Sequence, residues 1–190
     1  DMHTHLDINP NPAEALTDAF LRDEADRALR ATDYVEDVLM AGFTTVRNLG
    51  GITTLNLRDA VNAGYIPGPR IYAAGTAIAT TGGHADQTNG LNRTLSLLMG
   101  PPGPTEGVVN GPYEARQAVR QRYKDGSDVI KLSVTGGVGS LARSGDNTQF
   151  MADELEAIMQ AANDYNFVVA VHAHGCLLYT SPSPRDNLPS

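Results

Sequence analysis

Short, apolar, β-rich runs alternate with longer stretches of helical periodicity along this chain. The runs at 2–6, 44–49, 70–74, 129–134 and 167–172 read as strands. Most are continuously apolar, as strands covered on both faces are. Between them the spacing predicts helices. Leu21–Met40 sets Ala25, Ala28, Leu29, Val35, Val38 and Leu39 near the helical period and stops at Gly42. Leu55–Ala63 stops at Gly64, and Tyr113–Lys124 stops near Gly126. Ala152–Asp164 sets Leu155, Ile158, Met159 and Ala162 on one face. Strand, helix, strand repeated in this way predicts parallel βαβ units.

The repeat is roughly 35 residues, in the range of a (β/α)8 barrel. The expected fold is α/β: a partial (β/α)8 TIM barrel of about five of eight βα units, with a doubly wound open sheet as the alternative. Polar residues at the carboxyl ends of successive strands favour the barrel. Gly75–Pro112 and Gly136–Gln149 read as long loops. Loops of this length are usually functional or disordered, and in a barrel both would lie over the catalytic face.

Residues 1–175 are expected to form the barrel domain. Residues 176–190 are set apart. Cys176–Asp186 resembles the translation of a transposase-type sequencing adapter, and the composition turns proline-rich there, so a non-native, disordered tail is expected. Setting it aside removes the one cysteine, and with it thiol chemistry. The chain starts inside a strand-like run and leaves the barrel pattern after the fifth strand. The expectation is therefore the front part of a longer enzyme, inactive as written.

Composition narrows the partners. With 190 residues, 41% hydrophobic and 19% charged, the chain reads as one globular domain. A net charge of −8 argues against nucleic acid and anionic membrane, which reward clustered Lys and Arg. No apolar run approaches the length of a membrane span. A small-molecule substrate fits, and a homo-oligomer is compatible. The compartment stays open.

The strongest chemical signal is Asp-Met-His-Thr-His. Side chains at i and i+2 of a strand share a face, so His3 and His5 can grip one metal ion. Two surface histidines at a frayed end are the alternative. Lys131 is the second signal. It is one of two lysines, Lys124 being the other, and it sits in the apolar run Asp-Val-Ile-Lys-Leu-Ser-Val. A bare buried ammonium is costly. It can pair with a carboxylate, lose its proton, or react with carbon dioxide to give a metal-bridging carbamate. A head group reaching solvent at the strand end is the plain reading. His172 ends the fifth run and points toward a barrel site, with His174 second-shell or substrate-facing. His84, in Thr-Gly-Gly-His-Ala-Asp, can bond a scissile carbonyl oxygen or a substrate carboxylate. Arg47 can orient a carboxylate or make a structural ion pair, Asp1 can brace a histidine, and Asp7 is a weaker candidate. Gly136–Ser140 invites a phosphate-loop reading but lacks the following lysine of a P-loop, so it reads as a mobile loop.

Taken in order, Asp-Met-His-Thr-His-Leu, Ala-Gly-Phe-Thr-Thr-Val-Arg-Asn-Leu-Gly-Gly, Gly-Pro-Arg-Ile-Tyr-Ala-Ala-Gly, Thr-Gly-Gly-His, Val-Ile-Lys-Leu and Val-His-Ala-His-Gly resemble the amidohydrolase superfamily. The nearest branch is the imidazolonepropionase-related one with Xaa-Pro dipeptidase-like enzymes. The resemblance implies a distorted barrel with two divalent metal ions, usually zinc. It implies His3, His5 and His172 as ligands and Lys131 as carbamylated bridge. It also implies hydrolysis of an amide, peptide or cyclic-amide C–N bond by a metal-activated water. The family's later strand-end histidine and its general-base aspartate have no counterpart in this sequence. A non-catalytic phosphate-binding barrel and a one-metal deaminase are the alternatives.

Overall fold

The computed structural model describes residues 1–137 and 147–174. Its elements run α1 (Pro12–Leu21), α2 (Glu24–Met40), β1 (Thr45–Asn48), α3 (Thr53–Asn62), β2 (Arg70–Ala73), β3 (Ala79–Thr80), α4 (Arg93–Met99), β4 (Val108–Val109), α5 (Pro112–Asp125), β5 (Val129–Ser133), α6 (Ala152–Asp164) and β6 (Val168–His172). The class is α/β, as the alternation predicts. The described residues divide into two compact units: 1–77 with 119–131 and 159–170, and 78–118 with 132–137, 147–158 and 171–174.

In the first unit, β1 and β2 pair in parallel, Thr45 opposite Arg70 through Asn48 opposite Ala73. Helix α2 begins where the Asp23 carboxylate accepts the Asp26 amide, with Glu24 and Asp26 in the first turn, where the helix dipole favours negative charge. Its inner face packs Ala31 and Val35 against Val46, Leu55, Leu57, Ile71, Ala73 and Leu6. Leu29, expected on that face, is instead 73% exposed. The apolar residues of α2 fit more than one helical stripe, and Ala31 lies on the buried one. At the far end of β2, the Asp128 amide donates to the Ala73 carbonyl and its carboxylate takes the Ala73 amide and Arg58. A smaller cluster of Leu49, Ala74, Val129 and Ala170 closes this core.

The expected first strand at 2–6 is reduced to one parallel bridge, Thr4 opposite Asn48. Thr4 gives its amide to Arg47 and takes that of Leu49, but the Leu6 amide turns to the Asn48 side chain. The ladder therefore stops after one rung.

In the second unit, β3 and β4 pair in parallel, Ala79 with Val108 and Thr80 with Val109. Ile78 bridges Leu132, and Thr135 bridges Thr148. These strands and α4 occupy 75–112, which the sequence presents as loop. On α6 the buried face is Glu154, Ala157, Ile158, Ala161 and Ala162, while Met159 is exposed. Glu154 is buried because its carboxylate accepts the Gly111 and Met151 amides at the helix start. β5 and β6 are neighbours in one sheet, and β5 is buried at every position. Residues 138–140 of the glycine-rich phosphate-loop reading, and the adapter-like tail 176–190, lie outside the described residues.

Candidate metal centre

The first unit brings together His3, His5, Lys131 and Arg47. His3 and His5 flank the one bridged residue, Thr4, and their Nε2 atoms lie 3.2 Å apart. Their rings are tilted, with centroids 5.1 Å apart. In a metal-free pair one nitrogen donates and the other accepts, and the tautomer decides which. Two imidazole nitrogens at this separation also suit one ion about 2.1 Å from each. Desolvation by the surrounding chain lowers the pKa of His3 below its usual 6.5, with smaller contributions from the charges of Lys131 and Arg47. For His5 the order is desolvation, then His3, then Lys131. Both rings are therefore held neutral near neutral pH, the form that binds metal.

Lys131 lies in the middle of β5 and is only 4% exposed. Among the described residues no salt bridge reaches it. Burial lowers its pKa first, and Arg47 lowers it further. A buried amine beside a guanidinium gains by losing its positive charge, and more by becoming an anion. Among the described residues no three His, Cys, Asp or Glu side chains form a metal cluster. The donor set of this unit is thus two imidazoles plus one lysine whose chemistry must supply any oxygen ligand. That set fits a divalent ion only if Lys131 is modified.

Among the described residues Arg47 makes no ion pair. Its Nε donates to the Met2 carbonyl at 2.8 Å, which fixes the guanidinium beside the histidine segment. The Asp1 carboxylate accepts the backbone amide of His3, not its ring, so it shapes the chain rather than the imidazole. Asp7 is buried, with Oδ1 lacking a hydrogen bond, and burial raises its pKa.

The second unit brings together His84, His172 and His174. The His84 and His172 rings stack at 4.5 Å and 29°. His172 Nε2 lies 3.2 Å from the Gly136 carbonyl. The His174 ring meets His172 edge-on at 6.5 Å, and its amide donates to Thr135 Oγ1. The His84 loop is stapled by buried Asp86, which accepts the amides of Gly82 and Thr88 and the Thr88 hydroxyl. Gln149 Oε1 accepts the His84 amide at 2.9 Å. Neither Gln149 nor Asn48, described below, stands out in sequence, because an amide side chain beside a glycine-rich loop carries no spacing signal.

Gly137 presses on the ring stack. A Cβ there would lie 2.9 Å from His172 Nε2 and 3.0 Å from His84 Cε1. Gly137→Ala is expected to separate the two rings at a cost of about 1–3 kcal/mol, the usual range for overpacking. Imidazole NMR shifts of His84 and His172, read beside a thermal melt, check this. Unchanged shifts would remove Gly137 from the site.

Residues 1–178 match the amidohydrolase family. The chain is 29% identical over 183 residues to ochratoxinase of Aspergillus niger, covering 92% of this chain and 38% of that protein. Among solved structures, it superposes on a Xaa-Pro dipeptidase with bound methionine in the active site. That match has a TM-score of 0.84 and 49% identity, and covers 93% of this chain and 43% of that one. It also superposes on a prolidase complexed with N-methylphosphonate-L-proline, with a TM-score of 0.73, 32% identity, and coverage of 92% and 42%. The chain thus spans less than half the length of the relatives it matches.

Proposed function

The chain belongs to the amidohydrolase family, and from that premise we propose that it supplies the metal-gripping part of a hydrolase acting on amide or peptide C–N bonds. The observation that carries this reading is the His3–His5 pair, 3.2 Å apart at Nε2, beside a Lys131 that is buried without a salt bridge. The likeness to a dipeptidase and a prolidase supports small amide substrates, with Xaa-Pro dipeptides and N-acyl amino acids as the classes to try. The family's TIM-barrel-like metal-hydrolase fold agrees with the α/β architecture. We read the chain as about five of its eight βα units.

Two divalent ions, zinc by the chemistry of imidazole and carboxylate-type donors, would polarise the scissile carbonyl and lower the pKa of a bound water. His3 and His5 would hold metal. Lys131, whose pKa is lowered by burial and then by Arg47, would add carbon dioxide through its amine in the unprotonated form and lose a proton, giving an anionic carbamate with two oxygen donors. His172 is the further proposed ligand, and His174 the substrate-side neighbour. His84 would donate a hydrogen bond to the carbonyl oxygen as negative charge builds on it. Arg47 keeps the site cationic, which favours the carbamate over the ammonium.

The test is hydrolysis of Xaa-Pro dipeptides and N-acyl amino acids by a zinc-loaded enzyme in which this chain is completed by the family's later strands, with metal content measured on the same sample. A chelator is expected to abolish turnover, and zinc to restore it. Turnover indifferent to the chelator, in protein free of metal, would sink the reading. No described helix is long and apolar enough to cross a membrane.

A further inference from the structure

Asn48 ends β1 and its side chain is fully buried at 0% exposure. A buried amide side chain is stable only where its donor and acceptor are both used. Here both are used on the same target. Oδ1 accepts the Leu6 amide at 2.7 Å and the Thr4 hydroxyl at 3.3 Å. Nδ2 donates to the Gly50 carbonyl. Thr4 and Leu6 are the residues on either side of His5. Gly50 is the backbone against which the His5 ring rests, since a Cβ there would lie 3.3 Å from His5 Cε1 and Nδ1. One side chain thus holds His5 from both directions, the chain that carries it and the turn that bounds it. The main-chain ladder does not do this. Among the described residues it offers a single bridge at Thr4, and no main-chain carbonyl takes the Leu6 amide.

We infer that Asn48 is a positioning residue that sets the His3–His5 nitrogen spacing by clamping Thr4, Leu6 and Gly50 around His5. The inference rests on the metal-binding reading above. An ordinary core asparagine would satisfy one buried amide. This one replaces the missing rungs of a strand at the point where two ligands must share a face. Loss of such outer support around a metal ligand typically weakens metal affinity about 10- to 100-fold.

The experiment uses the full 190-residue chain and zinc itself as the probe. Zinc affinity is read by competition with a chromogenic chelator, and amide exchange is read at Leu6. Asn48→Leu removes all three bonds at similar volume. It is expected to weaken zinc binding by about 10- to 100-fold and to strip exchange protection from the Leu6 amide. Asn48→Asp keeps the acceptor toward Leu6 and Thr4 but loses the donor toward Gly50, so it is expected to weaken zinc binding as well. Asn48→Ser, polar but too short to reach all three partners, carries the same expectation as Asn48→Leu should the leucine variant fail to fold. A folded Asn48→Leu or Asn48→Ser protein that binds zinc like wild type overturns the inference alone. A folded Asn48→Asp protein that binds zinc like wild type overturns the two-sided clamp. Wild-type chain that binds no zinc overturns the metal reading, and the inference with it.

Discussion

Lys131→Met is expected to make the metal-free chain more stable and, on the function proposed above, to abolish its metal binding. The two effects have opposite signs because one side chain is responsible for both. Lys131 is 4% exposed in an all-buried strand, its pKa is lowered by burial and then by Arg47, and among the described residues no salt bridge offsets the cost. Methionine fills the same volume without a charge. The expected gain is about 1–2 kcal/mol, the size of one good stabilising substitution, or about 2–8 °C in melting temperature for a chain of this length. The pH dependence supplies the sign check. Below the lowered folded pKa both folded and unfolded chains carry the lysine proton, and the folded one bears the full burial penalty. Between that pKa and 10.5 the unfolded chain binds more protons, so wild-type stability rises with pH. Above 10.5 the penalty is gone. The methionine variant lacks this rising segment, so its advantage shrinks as pH climbs. Thermal melts of both proteins across that range check the claim. On the functional side, Lys131→Ala in a completed enzyme is expected to lose bound metal and turnover, with partial recovery in a short carboxylic acid that replaces the carbamate oxygens. Full activity in the alanine variant would end the carbamate assignment.

The same lysine shows why part of this site is legible without coordinates. A charged residue in an otherwise apolar run contradicts its surroundings, and the contradiction points to chemistry. The His-Thr-His spacing is legible for a related reason, since strand geometry maps i and i+2 onto one face. The larger helices were readable where polar and apolar residues segregate, as along α2, but alanine-rich stretches allow neighbouring stripes, which is how Leu29 and Met159 were placed inward. Strands β3 and β4 are two residues each, too short for any periodicity. Helix α4 has no buried residue, so no apolar stripe marks it. α1 is announced by Asn11 as cap and Pro12 in the first turn, a local signal that the search for apolar periodicity passes over. Asn48 and Gln149 are harder still. Their roles consist of hydrogen bonds to residues 42 and 65 positions away in the chain, to Leu6 and His84 respectively. Such pairings exist only once the fold has brought the partners together.

Gly51→Ala is expected to destabilise the protein by about 2–4 kcal/mol, and about half of that loss should depend on Asp7. Two independent costs meet at this glycine. Its φ of +83° lies in the left-handed region, where a Cβ costs roughly 1–2 kcal/mol. In addition, the new Cβ would run into Asp7 Oδ2 and lie 2.6 Å from Cγ. Those atoms belong to a buried carboxylate, whose Oδ1 already lacks a hydrogen bond. The carboxylate cannot simply swing aside, because any new position must still be desolvated, and burial is what raises its pKa. A double-mutant cycle separates the two costs. Asp7→Ala removes the contact and leaves the φ term, so Gly51→Ala in that background should cost only about 1–2 kcal/mol. Asp7→Ala by itself is expected to be neutral or mildly stabilising at neutral pH. A buried Asp with a raised pKa favours the folded chain less as pH rises from 3.8 through its folded value. Melting temperatures of the four proteins at neutral pH decide the matter. Additive losses would mean that Gly51 is required for its backbone alone. A coupling of about 1–2 kcal/mol would show that the turn after β1 is kept bare of side chains to make room for a carboxylate two residues beyond His5.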